Sequence, residues 1–132
     1  MPITIEVHGT PGPQGSKRHV GGGVMIESSK KVKPWREAVK WAALEAMKIA
    51  NFQRVDELPV MVNIVFRFPR PKTVKREWPI TKRSGDLDKL LRSTFDALKD
   101  AGVMGDDAQV VETYSRKVYG EPYGATIRLT AL

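Results

Sequence analysis

Four aspartates and a run of cations are the residues here whose types and spacing could do chemistry. Asp86-Leu87-Asp88 and Asp106-Asp107 bracket a segment of helical spacing. Between Arg67 and Arg92 nine lysines and arginines face only Glu77, Asp86 and Asp88. That stretch holds a net +6 of the chain's +7, so the remainder is nearly neutral. Grouped carboxylates repel unless a cation neutralises them, and hard oxygen donors without sulfur or imidazole suit Mg²⁺ or Mn²⁺. Such ions hydrolyse phosphodiesters by activating water and stabilising the departing oxygen, while nearby cations absorb transition-state charge. A concentrated positive field favours polyanions, nucleic acid first among them. Plainer readings exist for each group taken alone. Asp86 suits a helix N-cap, Asp88 complements a helix dipole, Gly105-Asp106-Asp107 is ordinary turn composition, and a basic run can be a solvated loop. Four carboxylates flanking one helix in a basic chain favour the chemical reading.

The two pairs must meet for that chemistry to work. If both were helical, Asp86 and Asp88 would point about 200° apart. They converge only if Asp86 is still extended where Asp88 begins the helix, an arrangement that the preceding Ser84-Gly85 turn favours. Asp106 and Asp107 follow a Gly102 to Gly105 turn and are expected to open a strand, which could bring one of them to the first pair. Arg92 lies four residues after Asp88 on the same helical face. It is placed either to serve the site or to form a plain ion pair with Asp88.

The rest of the composition narrows the field. With 132 residues, 41% apolar and 28% charged, the chain is expected to fold as a single domain, 1–132, with a core that needs no staples. The absence of cysteine excludes disulfides, thiolate metal sites and thiol nucleophiles. His8 and His19 have no ligand-like neighbour in sequence, so an imidazole metal site is not expected, and no feature calls for an organic cofactor. No apolar run approaches the roughly 20 residues of a membrane span, and Met1-Pro2-Ile3 is expected to open a strand rather than a leader. The expected location is a reducing cytoplasm with no membrane partner.

Positioning elements are read from periodicity. Ile3, Ile5 and Val7 alternate as a half-buried strand that Gly9 to Pro13 must end. Residues 14–23 read as an exposed loop carrying Lys17 and Arg18, and 24–26 as a short strand. A helix is expected over about 33–50, with Pro34 in its first position and Trp35, Val39, Ala42, Ala46 and Ile49 as a buried stripe that Trp41 and Leu44 widen. Residues 60–68 alternate as a central strand. Pro69, Pro71 and Pro79 then forbid regular structure across a basic loop. A second helix over about 86–101 turns Leu87, Leu90, Leu91, Phe95 and Leu98 inward and stops at Gly102. Strands at about 109–119 and 124–131 complete the order β-β-α-β-α-β-β, an α+β fold with a mixed sheet and both helices on one face.

Gly85-Asp86-Leu87-Asp88-Lys89, Phe95-Asp96-Ala97-Leu98, Ala101-Gly102-Val103 and Asp106-Asp107-Ala108-Gln109-Val110-Val111 together resemble the RusA family of Holliday junction resolvases, common in phages and prophages. Gly9-x-Pro11 followed by Lys17-Arg18 is similar to the family's opening strand and basic loop. The resemblance implies a homodimeric, Mg²⁺-dependent endonuclease that nicks four-way DNA junctions symmetrically in recombination and repair, with Mn²⁺ a possible substitute. By position, Asp86, Asp88 and Asp107 match the family's essential metal-site aspartates, and Asp106 matches the accompanying acid. Where the family often has a functional lysine one turn past the second Asp, this chain has Arg92, which can clamp a phosphate but does not readily give up a proton. Lys17, Arg18, Arg70, Lys72, Arg76, Lys82, Arg83 and Lys89 are the expected DNA-backbone contacts. Two alternatives remain at this stage: a non-catalytic nucleic-acid-binding module, and a nuclease acting on forks or flaps.

Overall fold

The alternating apolar residues become one face of a four-stranded sheet in the computed structural model, which describes residues 2–15, 17–19, 25–27 and 30–132, with backbone alone at 17–19 and 25–27. In chain order the elements are β1 (Pro2–His8), β2 (Lys17–His19), β3 (Met25–Glu27), α1 (Val32–Ala50), β4 (Val60–Phe68), α2 (Leu87–Ala101), a short 3₁₀ helix (Asp107–Gln109), β5 (Val110–Tyr119) and β6 (Gly124–Ala131). The main sheet has strand order β1-β6-β4-β5, and β2 pairs with β3 as a separate ribbon. β6 is antiparallel to both its neighbours, whereas β4 and β5 run parallel. This is the mixed α+β arrangement expected.

Register explains the core. Ile5 lies opposite Ile127, which lies opposite Ile64, and the rows Val7/Ala125/Phe66 and Ile3/Leu129/Val62 repeat the pattern. All nine side chains are buried, so each strand sends its alternate residues to one shared inner face. The helices cover that face and pack on each other and, for α1, on β1. Trp35 of α1 lies over Phe66, ring centroids 6.4 Å apart. Its indole Nε1 donates to Thr94 Oγ1 of α2 at 3.1 Å, and that hydroxyl donates on to the Leu90 carbonyl at 2.8 Å. A buried polar atom must find such a partner, which explains two hydroxyls, Ser93 and Thr94, inside an otherwise apolar core.

Several sequence expectations shift. The buried stripe of α1 is Val32, Trp35, Val39 and Ala43. Trp41 is 64% exposed and Ile49 80% exposed. At 100° per residue Trp41 lies about 200° from Val39, on the opposite side. Pro34 is the third helical residue, not the first, since Lys31 is the N-cap. The inner face of α2 is Leu90, Ser93, Thr94, Ala97, Leu98 and Ala101, with Leu87, Leu91 and Phe95 half-buried at its margins. Residues 17–19 pair with 25–27 rather than standing as open loop, because each supplies the other's backbone hydrogen bonds. The third strand thus lies one residue later than read, and Val24 and the Gly21 to Gly23 run lie outside the described residues. Asp106 and Asp107 open a 3₁₀ helix, not a strand. No helix is long and apolar enough to cross a membrane among the described residues.

Phe66→Ala should lower unfolding free energy by about 3–5 kcal/mol, because it empties a void beneath Trp35. Trp41→Ala should change it by no more than about 0.5 kcal/mol, a contrast that urea unfolding of the two variants would read directly.

Candidate functional site

Two loops converge on the first half of α2. The loop after β1 lies along the helix: Ser93 Oγ donates to the Gly12 carbonyl at 2.6 Å, Gln14 N donates to the Lys89 carbonyl at 2.9 Å, and Gln14 Nε2 donates to Asp96 Oδ2 at 2.7 Å. The long loop from β4 enters the helix through Ser84, Gly85 and Asp86. Gly85 has φ +87°, and a Cβ there would lie 2.7 Å from Pro13 Cγ, so glycine lets the two loops touch. Gly15 has φ +143° and would place a Cβ 2.8 Å from Arg92 Nη1.

Asp86 is the N-cap of α2 by position, with extended backbone (φ −78°, ψ 138°), yet its side chain makes no capping hydrogen bond. Its carboxylate is exposed and stands 3.5 Å from Lys89 Nζ. Asp88 follows in the first helical turn, also exposed. An extended Asp86 before a helical Asp88 is the backbone condition under which neighbouring carboxylates can face one ion. Among the described residues no ion pair joins Asp88 to Arg92, so that cation is not spent on the plain i,i+4 contact.

Asp106 and Asp107 sit past the other end of α2. Asp106 Oδ1 accepts from Ala108 N at 3.2 Å while Gln109 Oε1 accepts from Asp106 N at 2.9 Å, a reciprocal cap of the 3₁₀ helix. The Ala108 N–H, the neighbouring Asp107 carboxyl and Lys99 hold the Asp106 carboxyl below its ordinary range. Asp107 is half-buried, and its sharing of a hydrogen bond with Asp106, its burial and the nearby Asp96 carboxylate push it up. Asp96, which acts on Asp107, lies ten residues along the helix from Asp86 and eight from Asp88, about 15 Å and about 12 Å of helix axis. Among the described residues, no three His, Cys, Asp or Glu side chains gather closely enough to hold a metal ion. The chain therefore presents two separate carboxylate groups. The donor chemistry of Asp86 and Asp88 still fits Mg²⁺, which keeps several waters and is commonly held by one or two carboxylates together with substrate phosphates.

The basic segment walls a cavity that reaches Ser84, two residues ahead of Asp86. Arg70, Lys72, Arg76, Lys82 and Arg83 are all exposed. A cavity of about 310 Å³ under the loop is lined by Lys31, Arg70, Arg76 and Arg83 together with Phe68 and Tyr119. The Arg70 guanidinium lies 5.1 Å from the Tyr119 ring centroid, and Lys31 Nζ donates to the Arg83 carbonyl at 3.2 Å. Arg67, by contrast, leaves the basic group: it reaches Pro122 O, Thr126 Oγ1 and Glu6 Oε2 on the face of the sheet away from the helices. Lys17 and Arg18 lie on β2, whose side chains are outside the description. Lys89 is half-buried beside Asp86 rather than free in the groove.

Sequence reading passed over two residues of this neighbourhood. Lys117 of β5 donates to the Gly85 carbonyl at 2.8 Å and to Ser84 Oγ at 3.0 Å. Burial pushes its ammonium below the usual lysine range, and the Asp86 carboxylate opposes that push. The period-2 pattern of the strand was the available signal, since Lys117 shares a side with Thr113, Ser115 and Tyr119. Asp96 stood only inside the Phe95-Asp96-Ala97-Leu98 motif with no role attached, because its partners Gln14 and Asp107 come from other segments.

Residues 7–130 match a family model described as "Endodeoxyribonuclease RusA". No curated protein matches the chain. Eight chains of solved structures do, among them one from "Crystal structure of HypE-HypF complex", at 12% identity and a TM-score of 0.36. That alignment covers 98% of this chain and 30% of the other, so the chain spans under a third of that protein's length.

The raised Asp107 carboxyl has a consequence for stability. Ionising it is harder in the folded than in the unfolded chain, so it detracts from stability once pH passes its folded value and not below the ordinary carboxylate range. Asp107→Asn should melt at a higher temperature than the parent near pH 7, with the difference vanishing near pH 3 in a thermal melt series.

Proposed function

The chain belongs to the RusA endodeoxyribonuclease family, and on that premise we propose that it is a Mg²⁺-dependent, structure-selective DNA endonuclease that resolves four-way junctions by paired, symmetric nicks. One observation supports this most: Asp86 occupies a cap position without using its carboxylate to cap, beside Asp88 and two residues past Ser84, which lines a cavity walled by Arg70, Arg76 and Arg83. A carboxylate withheld from its local structural task is available for a ligand.

In this reading Asp86 and Asp88 hold the ion from the mouth of α2. Asp107 joins the proposal as the match to the family's third metal-site aspartate, and Asp106, engaged in capping, has the lesser part. Bound Mg²⁺, or Mn²⁺ in its place, would supply an activated water and charge neutralisation at the scissile phosphate. Arg92, on the helical face of Asp88, neutralises the phosphate through its planar fork and keeps its own proton, so protonation of the leaving 3′ oxygen falls to solvent. Arg70, Lys72, Arg76, Lys82 and Arg83, with Lys17, Arg18 and Lys89, hold the DNA backbone. Contacts of that kind position the substrate without reading sequence, and binding falls steeply with salt. A homodimer follows from the task, since two opposed strands must be cut and a two-fold assembly presents two equivalent sites.

Asp88→Asn should abolish cleavage of a synthetic four-way junction in Mg²⁺ while binding it as tightly as the parent or more so. The assay sets the junction beside a fork, a flap and a linear duplex. A variant that cuts at the parental rate removes Asp88 from the site, and a parent that prefers forks or flaps replaces the substrate. A parent that binds junctions but shows neither cleavage nor heat on titration with Mn²⁺ is a binding module instead.

A further inference from the structure

Among the described residues, Lys117 is a half-buried cation beside this site to which neither DNA contact nor the ion assigns a task. It projects from the edge strand β5 on the side shared with Phe66, its register partner, and so comes from the sheet toward the start of α2. An ammonium has three donors. Two go to the turn ahead of Asp86, at 2.8 Å to the Gly85 carbonyl and 3.0 Å to Ser84 Oγ, and the Asp86 carboxylate acts on the remaining charge. Removing an ammonium from water costs free energy that packing alone would avoid, so a methionine or leucine would fill this position more cheaply if packing were its task.

The turn itself is held mostly from within. Ser84 N donates to Thr81 O, Gly85 N to Lys82 O, and Ser84 Oγ to Thr81 O and Pro79 O. These bonds shape the turn without fixing it against the sheet. Among the described residues, Lys117 supplies the side-chain hydrogen bonds that tie it to a strand. We infer that Lys117 is a positioning residue that anchors Ser84-Gly85-Asp86 to the sheet and thereby sets where the Asp86 carboxylate stands. The inference rests on the nuclease reading of Asp86 and adds to it a residue that touches neither DNA nor the ion. Partners that orient metal-binding carboxylates typically cost about 10- to 100-fold in affinity or activity when removed.

The test uses the full chain with Lys117→Met, which keeps the stem and removes the charge, and Lys117→Arg, which keeps the charge. Three quantities are read: single-turnover cleavage of a four-way junction at saturating protein, junction affinity in EDTA, and affinity for Mn²⁺ alone by calorimetry. Lys117→Met should lose about 10- to 100-fold in cleavage rate and in Mn²⁺ affinity, with junction affinity in EDTA within about threefold of the parent, and Lys117→Arg should recover part of both losses. A parental rate and Mn²⁺ affinity in Lys117→Met overturns the assignment. So does a loss of junction affinity matching the loss in rate, which would make Lys117 a DNA contact. If Lys117→Met does not melt cooperatively, Ser84→Ala removes one acceptor and should show the same split on a smaller scale; parental behaviour there overturns the assignment. A parent that neither cuts branched DNA nor binds Mn²⁺ defeats the nuclease reading itself, and this inference with it.

Discussion

The parallel pairing of β4 with β5 is the constraint on which the rest depends. Parallel neighbours cannot be joined by a tight turn, so the chain must leave the far end of β4, cross the sheet and return to the near end of β5. α2 is that crossing. The basic loop therefore departs beside the carboxyl ends of the two parallel strands, where Phe68 is paired with Tyr119, and α2 begins over that same edge. Loops at the carboxyl ends of parallel strands are a common place for ligand sites, because there the sheet ends and backbone is free to form a crevice. Here the crevice is walled by Arg70, Arg76 and Arg83, with Ser84 at its inner margin.

Polar tethers then set the mouth of that helix. Thr94 joins the two helices through Trp35, Ser93 draws in the loop after β1 through Gly12, and Lys117 reaches up from the sheet to Gly85. Each is a buried or half-buried hydrogen bond, with Thr94 accepting and Ser93 and Lys117 donating, worth about 1 kcal/mol net or somewhat more for the charged lysine, and costlier to leave unmatched. Their geometric effect exceeds their energy, since they hold three distant segments against α2 and the turn that leads into it. Gly85 against Pro13 shows how close the approach is.

The same crossing helix separates the acids it brackets. Asp86 and Asp88 stand at its start, and Asp107 returns only as far as Asp96. Each group is surrounded differently. Lys89 and Lys117 flank the first, whereas at the second Asp106 and Asp96 crowd Asp107 and push its carboxyl up, while Lys99 stands on the Asp106 side. Like charge crowded at Asp107 and cations beside Asp86 give these two aspartates different surroundings, although the sequence spells both as members of a pair.

How much of this could be read from the chain alone follows from the range of the forces involved. Strand alternation at 3–7, 60–68 and 125–129, helical spacing around Trp35 and Leu90, and the stop at Gly102 are local patterns, and local patterns reveal both the elements and the mixed α+β order. The cationic stretch and the aspartates at 86 and 88 are likewise matters of composition and neighbours. Which side of α1 faces the core was misjudged at Trp41 and Ile49, because an amphipathic helix rich in alanine leaves its orientation to whatever the sheet and α2 present. Tertiary structure alone decided that Arg67 turns away from the basic wall and that Lys117 meets Gly85. Those outcomes depend on which strand edge lies under which loop, a relation between residues more than 30 positions apart that spacing along the chain does not encode.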